Sequence, residues 1–119
     1  MLREHLYKLL KEDFEIVRAV TNGRELVSAA LELLPGAIVS DTSMPLLGGL
    51  GAMRELNATG KKIPLILIGA VFRQTGISVH PGAAAYVDKS DLDVDLVAAV
   101  RSAVAGHFFL SRSIRATTS

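Results

Sequence analysis

The sequence contains no cysteine and no tryptophan, and its aromatic side chains amount to two tyrosines and four phenylalanines. Without cysteine the chain forms neither disulfides nor thiolate metal sites, and the reducing cytoplasm is the expected location. Half of the 119 residues are nevertheless hydrophobic, so alanine, leucine and valine must form most of the core. This length and composition predict one compact domain.

The sequence also lacks a strong charge of either sign and a long apolar run. Its 13 basic and 12 acidic residues leave a net charge of +1, which is not typical of a dedicated nucleic-acid-binding protein. The longest apolar run, residues 63–72, is about half of the ~20 residues that a membrane-spanning helix needs. The N-terminus has no features of a secretory signal. We therefore expect no membrane association.

Hydrophobic spacing alternates between helical and strand patterns along the chain. It predicts a helix over residues 2–12, a second helix stopped by Pro35-Gly36, a third closed by Gly60, and a last one capped by Ser90 and Asp93 and ended by Gly106. Short strands are predicted at residues 16–20, 37–40, 64–68 and 84–87. Strands separated by helices indicate a doubly wound α/β fold, with a parallel sheet covered on both faces.

The domain is predicted to span residues 1–107. Residues 108–119 are rich in Ser and Thr, and we interpret them as the start of a C-terminal linker.

Polar residues follow several of the predicted strands, where ligands gather in a sheet of this kind. The carboxyl ends of the strands supply Thr21, Asp41, Gly69 and the pair Asp88-Lys89. An acid and a base therefore converge on one edge. Each also has an ordinary structural interpretation, Asp41 as a turn residue and Lys89 as a surface lysine.

Four segments together resemble a known family. Residues 39–50 resemble the phosphoacceptor segment of response-regulator receiver domains, and Asn22–Leu26 resembles the start of their second helix. Gly82–Ser90 is similar to their fifth strand with its lysine, and Gly106–Ser111 to the segment that leaves their last helix. The similarity is to receivers that precede helix-turn-helix outputs. It implies a flavodoxin-like fold and a signalling role in a two-component system rather than enzymatic activity.

The resemblance also implies roles for individual residues. Asp41 would accept a phosphoryl group from a sensor histidine kinase, and Lys89 would contact the phosphoryl oxygens. Ser43 would offer its backbone carbonyl to Mg²⁺, with Asp41 as a second ligand. Tyr86 matches an aromatic residue that moves in the family's switch, unless it is simply a half-buried strand aromatic.

The sequence has two main departures from the family pattern. The usual first strand and its Mg²⁺-binding acidic pair are missing, and Glu12-Asp13 lies past the far end of a helix. Gly69 occupies the position that usually holds Thr or Ser. We therefore expect weak or absent Mg²⁺ binding and altered coupling to Tyr86. We interpret the sequence as a shortened form of a longer parent. If the chain folds without the missing strand, the strands at Ile16 and Ile38 should compensate by pairing directly, or pairing should occur between subunits.

Other functions remain as alternatives to a phosphorylated receiver. The main one is a degenerate receiver, an interaction module without Mg²⁺-dependent phosphorylation. A nucleotide-binding enzyme is disfavoured because Gly49-Leu50-Gly51 lacks the rest of the dinucleotide fingerprint. The histidines His5, His80 and His107 have no catalytic or metal spacing. Expected partners are a sensor histidine kinase and a second copy of the chain, with DNA contacted only through an output domain outside these residues.

Overall fold

The computed structural model describes residues 2–42, 46–69 and 82–118, with side chains described as far as Ala116. Helices and strands alternate along most of this chain. The helices are α1 (Leu2–Leu10), α2 (Gly23–Leu33), α3 (Gly48–Ala58), α4 (Leu92–Val104) and α5 (Arg112–Thr118). The strands are β1 (Ile38–Asp41), β2 (Leu65–Gly69), β3 (Ala85–Asp88) and β4 (Phe109–Leu110). A 3-10 turn, Lys89–Asp91, leads into α4.

The four strands form one parallel sheet in the order β1-β2-β3-β4. Every residue of β2 and β3 is buried, as expected for strands that are covered on both faces. The continuous apolar run of the sequence over 64–68 therefore corresponds to a central strand. The predicted parallel α/β architecture is confirmed.

Helices cover both faces of the sheet. On one face, side chains from α2 and α3 pack against Leu67 and Tyr86 in one core cluster. On the other, side chains from α1 and α4 pack against Ile66, Ile68 and Val87 in a second cluster. The alternation of residues along β2 between the two clusters follows from the two-residue period of a strand. No helix in the described part of the chain is long and apolar enough to cross a membrane.

Residues 16–20, predicted as a strand, have no regular secondary structure. The expected direct pairing with Ile38 is therefore wrong. Within the described residues, β1 pairs with β2. Ile16 and Val20 still pack against the two core clusters. The apolar spacing of residues 16–20 therefore reflects contact with the core. A strand also needs a neighbouring strand with which its backbone can pair. Pairing between subunits stays a prediction.

The C-terminal residues form a strand and a helix where composition predicts the start of a linker. In β4, Phe109 pairs with Ala85 and Leu110 with Tyr86, and Ile114 in α5 is fully buried. The apolar residues Phe109, Leu110 and Ile114 explain the difference, because the Ser- and Thr-rich composition around them conceals a buried face. The domain boundary at residue 107 stays a prediction.

The caps of α2 and α4 differ. The Asn22 side chain accepts a hydrogen bond from Glu25 N at 2.9 Å and caps α2. Ser90 and Asp93 do not form the predicted capping pair at α4. Instead the Asp88 carboxylate accepts hydrogen bonds from both the backbone and the hydroxyl of Ser90.

Candidate phosphoacceptor site

Asp41 and Lys89 meet at the carboxyl edge of the sheet. Asp41 is the last residue of β1, and Lys89 directly follows β3. Lys89 Nζ lies 3.2 Å from Asp41 Oδ2, with 42% of the lysine side chain and 20% of the aspartate side chain exposed. Since β2 separates the two strands, the backbones are about 10 Å apart, and a side chain as long as lysine is needed to span that distance. The predicted convergence of an acid and a base is present.

The backbone around Asp41 is tightly packed. Thr42 N donates to Ile68 O at 2.9 Å, and Gly49 N donates to Thr42 O at 3.2 Å. A Cβ atom placed on Gly49 would lie 2.5 Å from Asp41 O, so a glycine is needed where α3 meets the end of β1. The start of α3 therefore holds the backbone of Asp41 in place while its carboxylate faces the edge.

The described residues contain no group of three or more His, Asp or Glu side chains arranged to hold a metal ion. The Asp41 carboxylate faces the Lys89 ammonium, and Asp13 forms an ion pair with Arg101 on α4 at 2.7 Å. The predicted ligand Ser43 lies outside the described residues. The Lys89 ammonium therefore occupies a position beside Asp41 where it would compete with Mg²⁺ for the carboxylate oxygens that such an ion prefers.

Gly69 and Tyr86 occupy the positions of the predicted switch. Gly69 ends β2, with its Cα opposite that of Asp88. Tyr86 is only 1% exposed, so the interpretation as a half-buried strand aromatic is wrong. Its ring packs edge-on against Phe108, with the ring centroids 6.1 Å apart. The switch roles of Gly69 and Tyr86 stay predictions.

Sequence reasoning missed a hydrogen-bonded network beside the site. Asp91 is buried, and its carboxylate accepts hydrogen bonds from the hydroxyls of Ser111 and Ser113 at 2.6 and 2.7 Å and from Ser113 N at 2.9 Å. Burial alone would raise the pKa of Asp91, but these hydrogen bonds lower it below its ordinary value. The nearby Asp88 is also buried, and within the described residues its Oδ2 has no hydrogen-bond partner.

Asp95, on α4, binds Arg112, the residue that follows Ser111. Asp95 accepts hydrogen bonds from the backbone N, Nε and a terminal guanidinium nitrogen of Arg112, at 2.9, 3.2 and 3.0 Å. Burial opposes ionisation of Asp95, but the hydrogen bonds and charge of Arg112 lower its pKa. The hydrogen bond and charge of Asp95 correspondingly raise the pKa of Arg112. The spacing of Asp91 and Asp95 places them on one helix face, but nothing in the sequence identifies their partners.

The histidines do not join the site in the described residues. His5 Nε2 lies 2.8 Å from Asp93 Oδ1 and connects α1 to α4. His107 is exposed, and its backbone O accepts a hydrogen bond from Ser102. His80 lies outside the described residues.

Comparison with known proteins agrees with this geometry. The family model of the response regulator receiver domain matches residues 1–101. The chain therefore belongs to the response regulator receiver domain family, and its role is that of a two-component signalling receiver.

Relatives in sequence include both regulators and larger enzymes. Over 102 residues the chain is 32% identical to protein-glutamate methylesterase/protein-glutamine glutaminase 2 of Carboxydothermus hydrogenoformans, covering 81% of this chain and 28% of that protein. It is 29% identical to the nitrate/nitrite response regulator protein homolog of Haemophilus influenzae, covering 89% of this chain and 52% of that one. The chain thus spans about a quarter to a half of the length of these relatives.

Solved structures share the fold. A LuxR-family two-component response regulator from Aurantimonas sp. SI85-9A1 superposes with a TM-score of 0.84 at 24% identity, covering 98% of this chain and 86% of that one. The receiver domain of a sensor histidine kinase from Pseudomonas aeruginosa superposes with a TM-score of 0.75 at 24% identity, covering 86% and 87%. That structure has a magnesium ion coordinated in its active-site cleft.

Proposed function

We propose that Asp41 is the phosphoacceptor of this receiver and that Lys89 neutralises the charge of the transferred group. The observation that carries the proposal is the 3.2 Å pairing of their side chains at the carboxyl edge of the sheet. Both side chains remain partly exposed, so a phosphodonor has access to the carboxylate. A conformationally flexible lysine suits this task because it binds phosphoryl oxygens as a point charge.

The transfer is a displacement at phosphorus. An Asp41 carboxylate oxygen attacks the phosphorus of a phosphohistidine on a sensor kinase, or of a small acyl phosphate. The bond from phosphorus to the donor atom breaks, and the donor keeps that electron pair and takes a proton from water where its basicity requires one. Asp41 becomes an acyl phosphate whose charge is about −2 in place of −1. The Lys89 ammonium then moves from the carboxylate to the phosphoryl oxygens. Its charge matters because phosphoryl transfer is accelerated mainly by positioning and charge neutralisation.

Magnesium dependence should be weak in this chain. Receivers of this family use Mg²⁺ next to the acceptor, but the described residues contain no group of three or more His, Asp or Glu side chains that could hold a metal ion. We therefore expect Lys89 to supply most of the charge neutralisation.

Signalling to partners is expected to involve a sensor histidine kinase and contacts between copies of the chain. Gly69 has no hydroxyl group that could follow the phosphoryl group, so movement of Tyr86 should be only weakly coupled to phosphorylation. DNA would be contacted only through an output domain outside these residues.

Intact-mass measurement after incubation with acetyl phosphate tests the proposal. We expect one labile phosphoryl adduct on the natural chain, with or without Mg²⁺, and none on the Asp41→Asn variant. Lys89→Gln should reduce the rate of adduct formation by about tenfold or more, because the developing charge then lacks its cation. Absence of an adduct on the natural chain, at any Mg²⁺ concentration, would contradict the proposal.

That negative result would favour a degenerate receiver, which acts as an interaction module without phosphorylation. The glycine at position 69 supports this second candidate, as does the absence, among the described residues, of a group of three or more acidic or histidine side chains that could hold a metal ion. It predicts that a kinase or other partner binds the natural chain and the Asp41→Asn variant with equal affinity.

A further inference from the structure

Ser111 connects the two residues on either side of Lys89 and Ser90. It is fully buried beside the end of β3. Its hydroxyl accepts a hydrogen bond from Asp88 N at 2.9 Å and donates one to Asp91 Oδ2 at 2.6 Å. One side chain therefore holds the backbone just before the turn that carries Lys89 and the carboxylate just after it.

The carboxylate of Asp91 is directed away from its own helix. Asp91 is the N-cap residue of α4, yet its side chain makes no capping hydrogen bond to that helix. An aspartate at this position usually accepts hydrogen bonds from the amides of its own first turn. Here it accepts them instead from the Ser111 hydroxyl and from the backbone and side chain of Ser113. These serines lie 20 and 22 residues later in the chain. The Lys89 turn is thus fastened to the C-terminal segment.

Lys89 relies on its backbone for the direction of its side chain. Its side chain is a flexible four-carbon stem, and 42% of it is exposed. The direction of such a side chain is set mainly by the backbone that carries it. Each torsion angle that is left free lowers the fraction of time that the ammonium spends beside Asp41. Backbone hydrogen bonds on this side of β3 include that from Ser111 N to Tyr86 O at 3.0 Å, so β4 and the Lys89 turn are held as one unit.

We propose that Ser111, held by Asp91, is a positioning residue that keeps Lys89 directed at Asp41, so that docking of the C-terminal segment controls the reactivity of the phosphoacceptor. The proposal rests on the function assigned above to Asp41. If docking of the C-terminal segment also strengthens the binding of Lys89 to the phosphoryl group, phosphorylation must strengthen docking by the same factor, because linkage between binding free energies is reciprocal. When a phosphoryl group draws Lys89 toward itself, the same turn acts on Ser111 and Ser113. This route from Asp41 to the C-terminal segment does not require a hydroxyl group at Gly69.

A chemical test of lysine position does not depend on phosphorylation. The chain is treated with the N-hydroxysuccinimide ester of acetic acid, and the acetylation rate of each lysine is measured by peptide mass spectrometry. The exposed Lys61 and Lys62 serve as internal references. We expect Ser111→Ala to raise the Lys89 rate by about twofold to fivefold, the range for loss of a half-exposed ion pair. Asp41→Asn should raise it to a similar extent.

Matched variants separate positioning from general loosening of the fold. Ser102→Ala removes a hydroxyl from α4 whose hydrogen bond is to His107 O, and it should leave the Lys89 rate unchanged. Asp91→Asn keeps the side-chain shape but replaces a carboxylate oxygen with an NH₂ group, and it should raise the rate as Ser111→Ala does. Circular dichroism checks that each variant is folded at the assay temperature.

The phosphorylation assay completes the test. Ser111→Ala should slow adduct formation from acetyl phosphate by about threefold to tenfold, while Ser102→Ala should match the natural chain. A folded Ser111→Ala variant with an unchanged Lys89 acetylation rate would overturn the positioning role. If the natural chain forms no adduct while the Lys89 rate still responds to Ser111→Ala, the assignment of Asp41 fails and the positioning of Lys89 stands.

Discussion

Asp41 and Asp91 are the same residue type in two contrasting environments on the same domain. Asp41 ends an edge strand, is 20% exposed on its side chain, and faces a lysine that is itself 42% exposed. Asp91 is 4% exposed and accepts three hydrogen bonds from two serines. A buried carboxylate that accepts three hydrogen bonds is a poor nucleophile, whereas a partly exposed carboxylate beside an ammonium group is accessible to a phosphodonor. The comparison contrasts the proposed phosphoacceptor with an aspartate in a structural role.

Removing the buried part of α5 should have the largest effect. Ile114→Ala is expected to lower the free energy of unfolding by about 2–5 kcal/mol, because a fully buried isoleucine loses its contacts and leaves a cavity. Urea denaturation measures the change. The control Val104→Ala alters a side chain that is 56% exposed and should cost less than about 0.5 kcal/mol. Equal losses of stability in the two variants would mean that the buried side chain of α5 does not stabilise the fold.

Crowding the acceptor strand should have the next largest effect. Gly49→Ala places a methyl group against Asp41 O and should destabilise the chain by about 1–3 kcal/mol. It should also slow adduct formation, since Asp41 is displaced. Gly36→Ala is the matched control because an added Cβ meets nothing within 4 Å. Thermal unfolding together with intact mass would show whether stability and reactivity fall together, and an unperturbed Gly49→Ala variant would refute the close approach.

Acid should weaken the Asp91 and Asp95 contacts. Both carboxyls have a pKa below the ordinary value in the folded state, so the unfolded chain binds protons first as the pH falls. Their stabilisation is fully present above the unfolded pKa of about 3.9 and is lost as the pH falls through the lower folded pKa. Stability should therefore rise with pH across this window.

The variant Asp95→Asn sharpens this test. At neutral pH it should cost about 1–2 kcal/mol, because the charge-assisted hydrogen bonds to Arg112 are lost. Its free energy of unfolding should depend less steeply on pH between about 5 and 2 than that of the natural chain. Identical slopes in urea denaturation across that range would contradict the assigned role of Asp95.

A surface ion pair far from both aspartates should have the smallest effect. Arg24 contacts both carboxylate oxygens of Glu55 at 3.1 and 2.9 Å and joins α2 to α3, but the two side chains are 64% and 41% exposed. Arg24→Gln is expected to cost about 0.2–1 kcal/mol and to cost less in high salt, because water and ions screen the pair. Denaturation at two salt concentrations measures both effects, and a salt-independent loss would point to packing instead.

Sequence patterns predicted the parallel sheet and the Asp41–Lys89 edge because both follow from local order. The uniform burial of residues 65–69 matches a continuous apolar run, and residues at the ends of parallel strands must share an edge. Residues 16–20 show the limit of this reasoning. Their apolar spacing is real, but a strand also needs a partner, and local spacing does not report one.

The C-terminal contacts could not be predicted for a similar reason. Ser111, Arg112 and Ser113 look like linker residues, and their partners Asp91 and Asp95 look like ordinary acidic residues near the start of a helix. Each hydrogen bond joins positions 17 to 22 residues apart. Only the folded chain shows that these polar residues satisfy one another.

Phe108 gives the domain a place for an optical reporter. Its ring is 53% exposed yet packs against the buried Tyr86, so a larger aromatic side chain has room to extend into solvent. Because the chain contains no tryptophan, Phe108→Trp would introduce a single indole at the junction of β3 and the C-terminal segment. Its emission would shift to longer wavelength whenever that segment moves away from the sheet, which allows the motion to be followed in real time without an added label.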